Sequence, residues 1–153
     1  MSNMTISDSI KYIGVNDTTL DLFEGQYIIP NGVSYNSYVI LEEKVAVMDT
    51  VDVRKGDEWF DNLLNTLNGR NVDYLIISHL EPDHSANIKR LADAYPDAKL
   101  VLSNKAKAMF SQFFNIENAD SRFITVNEGE ELCLGSHTLK FIMAPMVHWP
   151  EVM

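Results

Sequence analysis

Two imidazoles and two carboxylates are packed into the run Ser78-His79-Leu80-Glu81-Pro82-Asp83-His84-Ser85. His79, Glu81, Asp83 and His84 each offer lone pairs that bind metal ions. In an extended segment, residues two apart point the same way, so His79 and Glu81 can converge on one ion. Asp83 and His84 stand at a turn into a helix and can face a second. Pro82 fixes one φ angle and stiffens the loop. Taken singly, Asp83 reads as a helix N-cap, Glu81 as a solvated loop acid and the histidines as ordinary loop residues. All four together, at the carboxyl end of a strand, read as a site, because open α/β sheets place their ligands there.

A second piece is Ala144-Pro145-Met146-Val147-His148-Trp149-Pro150. His148 again lies just past a strand end, beside two prolines and an indole, and taken alone it is equally a loop histidine packed on Trp149. His137, at a hairpin after Gly135-Ser136, lacks a motif partner and reads as a surface turn histidine. Trp149 reads as packing, though an indole can shield ions from water. Cys133 alternates inside Leu132-Cys133-Leu134 and reads as buried core.

These residues need a scaffold. Tyr38–Leu41 and Val45–Met48 flank the polar trio Glu42-Glu43-Lys44 and predict a hairpin with both faces buried. Shorter strands are expected over Ile10–Val15 and Gln26–Ile29. Trp59, Phe60, Leu63, Leu64 and Leu67 share one face at helical spacing, and Gly69 follows as the stop. The pattern then alternates. Strands are expected at Tyr74–Ile77, Leu100–Leu102 and Phe123–Val126. Helices are expected over Ser85–Tyr95, ended by Pro96, and after a Ser103 or Asn104 cap, with Ala106, Met109, Phe110 and Phe113 on one face. Asn127-Glu128-Gly129 turns into Glu131–Leu134, and Gly135-Ser136 into His137–Met143. Strands followed by strand–helix alternation predict a mixed sheet with helices outside it.

The chain has 153 residues, 46% apolar and 22% charged, which suits one globular domain or part of one. Twelve basic and 22 acidic residues give a net charge of −10, so a basic nucleic-acid footprint is excluded as the main theme. Nothing basic and amphipathic suggests a membrane surface, and no apolar run approaches the ~18 residues of a span. One cysteine excludes an internal disulfide framework and any cysteine-rich metal site. The N-terminal Met1–Asp8 lacks the basic-then-apolar pattern of a leader, so the expected address is cytoplasmic.

The run His79-x-Glu81-x-Asp83-His84, with Met146 to Pro150, resembles the flavodiiron proteins (A-type flavoproteins). Their metal domain is an α/β, metallo-β-lactamase-like αββα sandwich. The segments Tyr35-Asn36-Ser37-Tyr38 and Met48-Asp49-Thr50 resemble its N-terminal part, and the similarity runs over most of the chain. The wider superfamily usually has His where this chain has Glu81. A carboxylate there makes the site harder and more anionic, which favours a metal that passes through a +3 state and moves the expectation from zinc to iron.

The resemblance implies roles. His79, Glu81 and His148 would ligate one iron, and Asp83 and His84 the second, while Asp49 would support a metal-bound histidine from outside. It also implies reduction of O2 to water or NO to nitrous oxide. Electrons would come from FMN on a C-terminal flavodoxin-like domain, fed by a rubredoxin-like or other donor, in a homodimer or homotetramer. The sequence stops five residues after His148, before the bridging Asp, the last His and the flavodoxin-like domain that the family supplies. No phosphate loop for FMN is present. The expectation is therefore residues 1–153 as part of a diiron domain, its second sheet face left bare and the piece itself weakly active. A zinc hydrolase of the same fold, acting on a thioester or lactone, and a remnant of the fold without catalysis are the alternatives.

Overall fold

The computed structural model describes residues 6–153; of the N-terminal segment read for a leader, residues 1–5 lie outside it. The first half is all strand: β1 (Ile10–Tyr12), β2 (Val15–Asp17), β3 (Leu22–Phe23), β4 (Tyr27–Ile28), β5 (Val33–Tyr35), β6 (Tyr38–Leu41) and β7 (Val45–Met48). A 3-10 turn at Val53–Lys55 leads into α1 (Gly56–Leu67). Alternation follows with β8 (Tyr74–Ile77), α2 (Pro82–Ser85), α3 (Ile88–Ala94), β9 (Lys99–Ser103), α4 (Asn104–Phe110), α5 (Ala119–Arg122) and β10 (Phe123–Val126). A hairpin of β11 (Glu131–Cys133) and β12 (Thr138–Lys140) comes last.

The main sheet has six strands in the order β1-β6-β7-β8-β9-β10. The β1, β6 and β7 neighbours are antiparallel; β7, β8, β9 and β10 run parallel. Met48 pairs with Ile76, and Ile77 with Leu102, so the parallel strands end level with one another. The site loops leave from that edge.

Period-two alternation sends side chains to two cores. Val39, Val47, Leu75, Ile77, Leu100 and Leu102 face the helices and meet Trp59, Leu63, Leu67, Leu91 and Phe110. Ile40, Ala46, Ile76, Val101 and Val126 face the other way and meet Leu134 and Phe141. This second face is thus not bare as the sequence suggested, because the β11–β12 hairpin and the tail lie over it.

Several boundaries differ from expectation for identifiable reasons. The segment 10–15 is two strands with different partners, broken at Gly14, where a Cβ would come within 2.2 Å of the Tyr35 carbonyl oxygen. The single helix expected from Ser85 is split at Asn87. That side chain is buried and donates to the Val51 carbonyl at 2.7 Å, tying the break to the loop after β7. The last strand ends at Lys140 rather than Met143, and the one near Gln26 shrinks to Tyr27–Ile28. Cys133 is exposed, not core. Leu132 stands opposite Leu139 and packs inward with it, so the alternation turns Cys133 out of a hairpin with only one buried face. Ser103 is the α4 cap, its hydroxyl accepting the Ala106 N–H at 3.0 Å.

Trp59 is fully buried and donates its indole N–H to Ser37 Oγ at 3.0 Å. Ser37 in turn donates to the Asp49 carbonyl at 2.9 Å. Trp59→Ala should cost about 3–5 kcal/mol as a large core truncation, and Trp59→Phe about 1 kcal/mol more than any volume effect for the lost hydrogen bond. Urea unfolding followed by circular dichroism measures both.

Candidate metal centre

The level ends of β7 and β8 build the floor of the site. Asp49 follows β7 with a left-handed φ of 52°, which turns its carboxylate across to the neighbouring strand end. Its Oδ1 accepts the Ser78 N–H at 2.7 Å, and the Ser78 hydroxyl donates to Oδ2. His79 leaves β8 inward. Leu80, fully buried in the helix-side core, anchors the loop between His79 and Glu81. Pro82 opens α2, where its missing N–H costs nothing. The His84 carbonyl accepts from both the N–H and the hydroxyl of Thr50, at 2.7 and 2.9 Å, which locks α2 onto the β7 loop.

The side chains converge. Glu81 Oε2 lies 3.0 Å from His79 Nε2 and 2.7 Å from His148 Nε2. The three ligand atoms of His79, Glu81 and His148 all fall within 4.8 Å of one another. The His79 ring is 5.2 Å from the His148 ring and 5.3 Å from the His84 ring. His84 binds Asp49 Oδ2 through Nδ1 at 3.2 Å, and its Nε2 stands 3.7 Å from Asp83 Oδ2. Asp49 thus sits against His84 Nδ1. His137 lies elsewhere, paired with Glu42. Trp149 presents its edge to His79 at 5.2 Å and 89°.

The electrostatics favour a cation. Burial of Glu81 opposes its ionisation, but hydrogen bonds with Glu24, His148 and His79 outweigh that and hold its carboxyl at about 2. The hydrogen-bonding influence of Glu81 pushes the exposed Glu24 carboxyl up. Burial pushes Asp83 up as well. Its Oδ1 is buried with no hydrogen-bond partner, a costly state that a bound cation would relieve. His79 Nδ1 is engaged by Glu151 and His84 Nδ1 by Asp49, which leaves both Nε2 atoms on the site side. Among the described residues, the donors of His79, Glu81 and His148 fit one metal ion, while Asp83 and His84 fall outside that group and supply two further donors beside it.

The ODP family beta lactamase profile matches residues 33–153. The chain belongs to this family. It is 34% identical over its whole length to the flavo-diiron protein FprA2 of Clostridium acetobutylicum, of which it covers 38%. It is 32% identical over 97% of its length to the anaerobic nitric oxide reductase flavorubredoxin of Vibrio vulnificus, of which it covers 30%. Among solved structures, the flavodiiron protein from Giardia intestinalis superposes with a TM-score of 0.90 at 27% identity, over 99% of this chain and 36% of that one. Rubredoxin oxygen:oxidoreductase from Desulfovibrio gigas gives 0.89 at 31%, over 99% and 37%. The chain therefore spans less than two fifths of each of these proteins, and its fold is the metallo-β-lactamase-like domain of flavodiiron proteins.

Two residues at the centre escaped the sequence reading. Glu24 reaches it from the β3–β4 hairpin and Glu151 from the tail. Neither has a motif spacing: Glu24 looks like a turn acid before Gly25, and Glu151 like a solvated acid after Pro150.

The His84–Asp49 pair makes the metal-free protein pH-sensitive. The Asp49 hydrogen bond holds the His84 imidazolium above its ordinary value, against the effect of burial. Its stabilising contribution is complete below the unfolded value of about 6.5 and is lost as pH rises through the raised folded value. The urea midpoint of chelator-treated protein should fall across that window, and His84→Gln should flatten the fall.

Proposed function

We propose that the chain carries the diiron centre of a flavodiiron-type oxidoreductase that reduces O2 to water or NO to nitrous oxide. The observation that carries this reading is the convergence of the His79, Glu81 and His148 donors within 4.8 Å of one another, next to the unpartnered Asp83 oxygen. His79, Glu81 and His148 would hold one iron, and Asp83 and His84 the second. Bound irons would supply electrons to the diatomic substrate, refilled from FMN on a flavodoxin-like domain of the whole protein.

The chain's own residues do the rest. Glu81 brings a negative charge that imidazole would not, stabilising the oxidised metal. Asp49, anchored by Ser78, keeps the His84 ring oriented with Nε2 forward. Trp149, edge-on to His79 and 6.2 Å from the Phe113 ring, walls one side of the site with apolar surface.

No described helix is long and apolar enough to cross a membrane. We place the protein in the cytoplasm, taking electrons from a rubredoxin-like donor. Homologues bearing the names nitric oxide reductase and rubredoxin oxygen:oxidoreductase support both substrates.

The protein as its gene encodes it, purified without oxygen, should hold two irons per subunit. His79→Ala or Glu81→Ala should lower that content and abolish NO- and O2-dependent oxidation of the reduced flavin. Zinc alone at the centre, with hydrolysis of thioesters and no gas consumption, would favour a hydrolase. Neither metal nor activity would leave a remnant of the fold.

A further inference from the structure

Behind His79, on the side away from Glu81, lies a buried carboxylate that no ligand motif includes. Glu151 Oε1 accepts from His79 Nδ1 at 2.7 Å and from the Leu80 N–H at 3.0 Å. Its side chain is 0% exposed. Its second oxygen, Oε2, is buried without a hydrogen-bond partner. The backbone around it is held on both sides. The Glu151 carbonyl accepts from the Ser103 hydroxyl at 2.9 Å, at the end of β9. The Met153 N–H donates to the Ser78 carbonyl at 3.1 Å, at the end of β8.

A carboxylate that only filled space here would be disfavoured, because a desolvated oxygen without a donor costs free energy that a neutral side chain avoids. The compensation lies in the imidazole. An acceptor at Nδ1 selects the tautomer with Nδ1 protonated, leaving the Nε2 lone pair pointing at Glu81. A full negative charge behind the ring also raises the basicity of Nε2 toward a cation.

We propose that Glu151 is the positioning residue for His79: it fixes the Nε2-forward tautomer and strengthens that nitrogen as a metal ligand. The proposal rests on the reading of His79 as a ligand. Glu151 lies three residues after His148, so one short segment delivers a ligand to the front of the site and a support to the back of it. The tail that bonds to the ends of β8 and β9 is thereby part of the metal centre.

Co2+ serves as the probe, because its visible absorption reports the ligand field independently of turnover. Wild-type protein, His79→Ala and Glu151→Gln are titrated with Co2+ at fixed pH, and the metal-free forms are unfolded in urea. Glu151→Gln should weaken Co2+ binding roughly 10–100-fold and shift the visible bands, with the metal-free circular dichroism spectrum unchanged. Wild-type affinity and bands in Glu151→Gln would overturn the proposal. Loss of Co2+ binding in no variant, His79→Ala included, would instead overturn the ligand reading beneath it. Should Glu151→Gln not fold, nitrogen-15 spectra of the Zn2+-loaded wild type decide the matter. Nδ1 protonated and Nε2 metal-bound is expected for His79, and the reverse would sink the assignment.

Discussion

One carboxylate oxygen stands between two imidazoles. Glu81 Oε2 is within hydrogen-bond reach of His79 and His148, two residues that are 69 positions apart by their numbers, and it is ionised despite its burial. Such a group is tolerated only where positive charge or donors face it from several sides. The loop after β8 and the turn around His148 both end at this atom. The level register of β7 and β8 is what lets them do so, since it sets Asp49 beside Ser78 and so fixes where the loop begins.

The support around the site is layered from side chains that have no chemistry of their own. Trp59 holds Ser37, Ser37 holds the Asp49 backbone, and Asp49 holds Ser78 and His84. Asn87 ties α3 to the loop after β7, and Gly56 makes room for it: a Cβ there would meet Asn87 Oδ1 at 2.2 Å. The helix-side core and the candidate metal centre thus share one network, so damage to packing near α1 reaches His84 through hydrogen bonds rather than through contact.

Much of this was legible in the sequence because it is local. His79 to His84 lie close enough that strand and loop geometry alone bring them together, and β6, β7, β8 and β10 are apolar runs of ordinary strand length. The splitting of the helix at Asn87 was not legible, because its cause is a carbonyl on another loop. Glu151 was hidden for the same reason: its partner His79 is 72 residues away, and a Glu after Trp-Pro has no periodicity to betray burial. Cys133 misled because alternation says which residues share a face, not which face is covered.

The edge-on contact of Trp149 with His79 gives the molecule an optical property. An iron or cobalt ion held by His79 would lie near this indole and take up its excited state, so filling of the candidate centre would dim emission from this tryptophan. Occupancy would then become visible in a cuvette, without a dye, a label or a turnover assay.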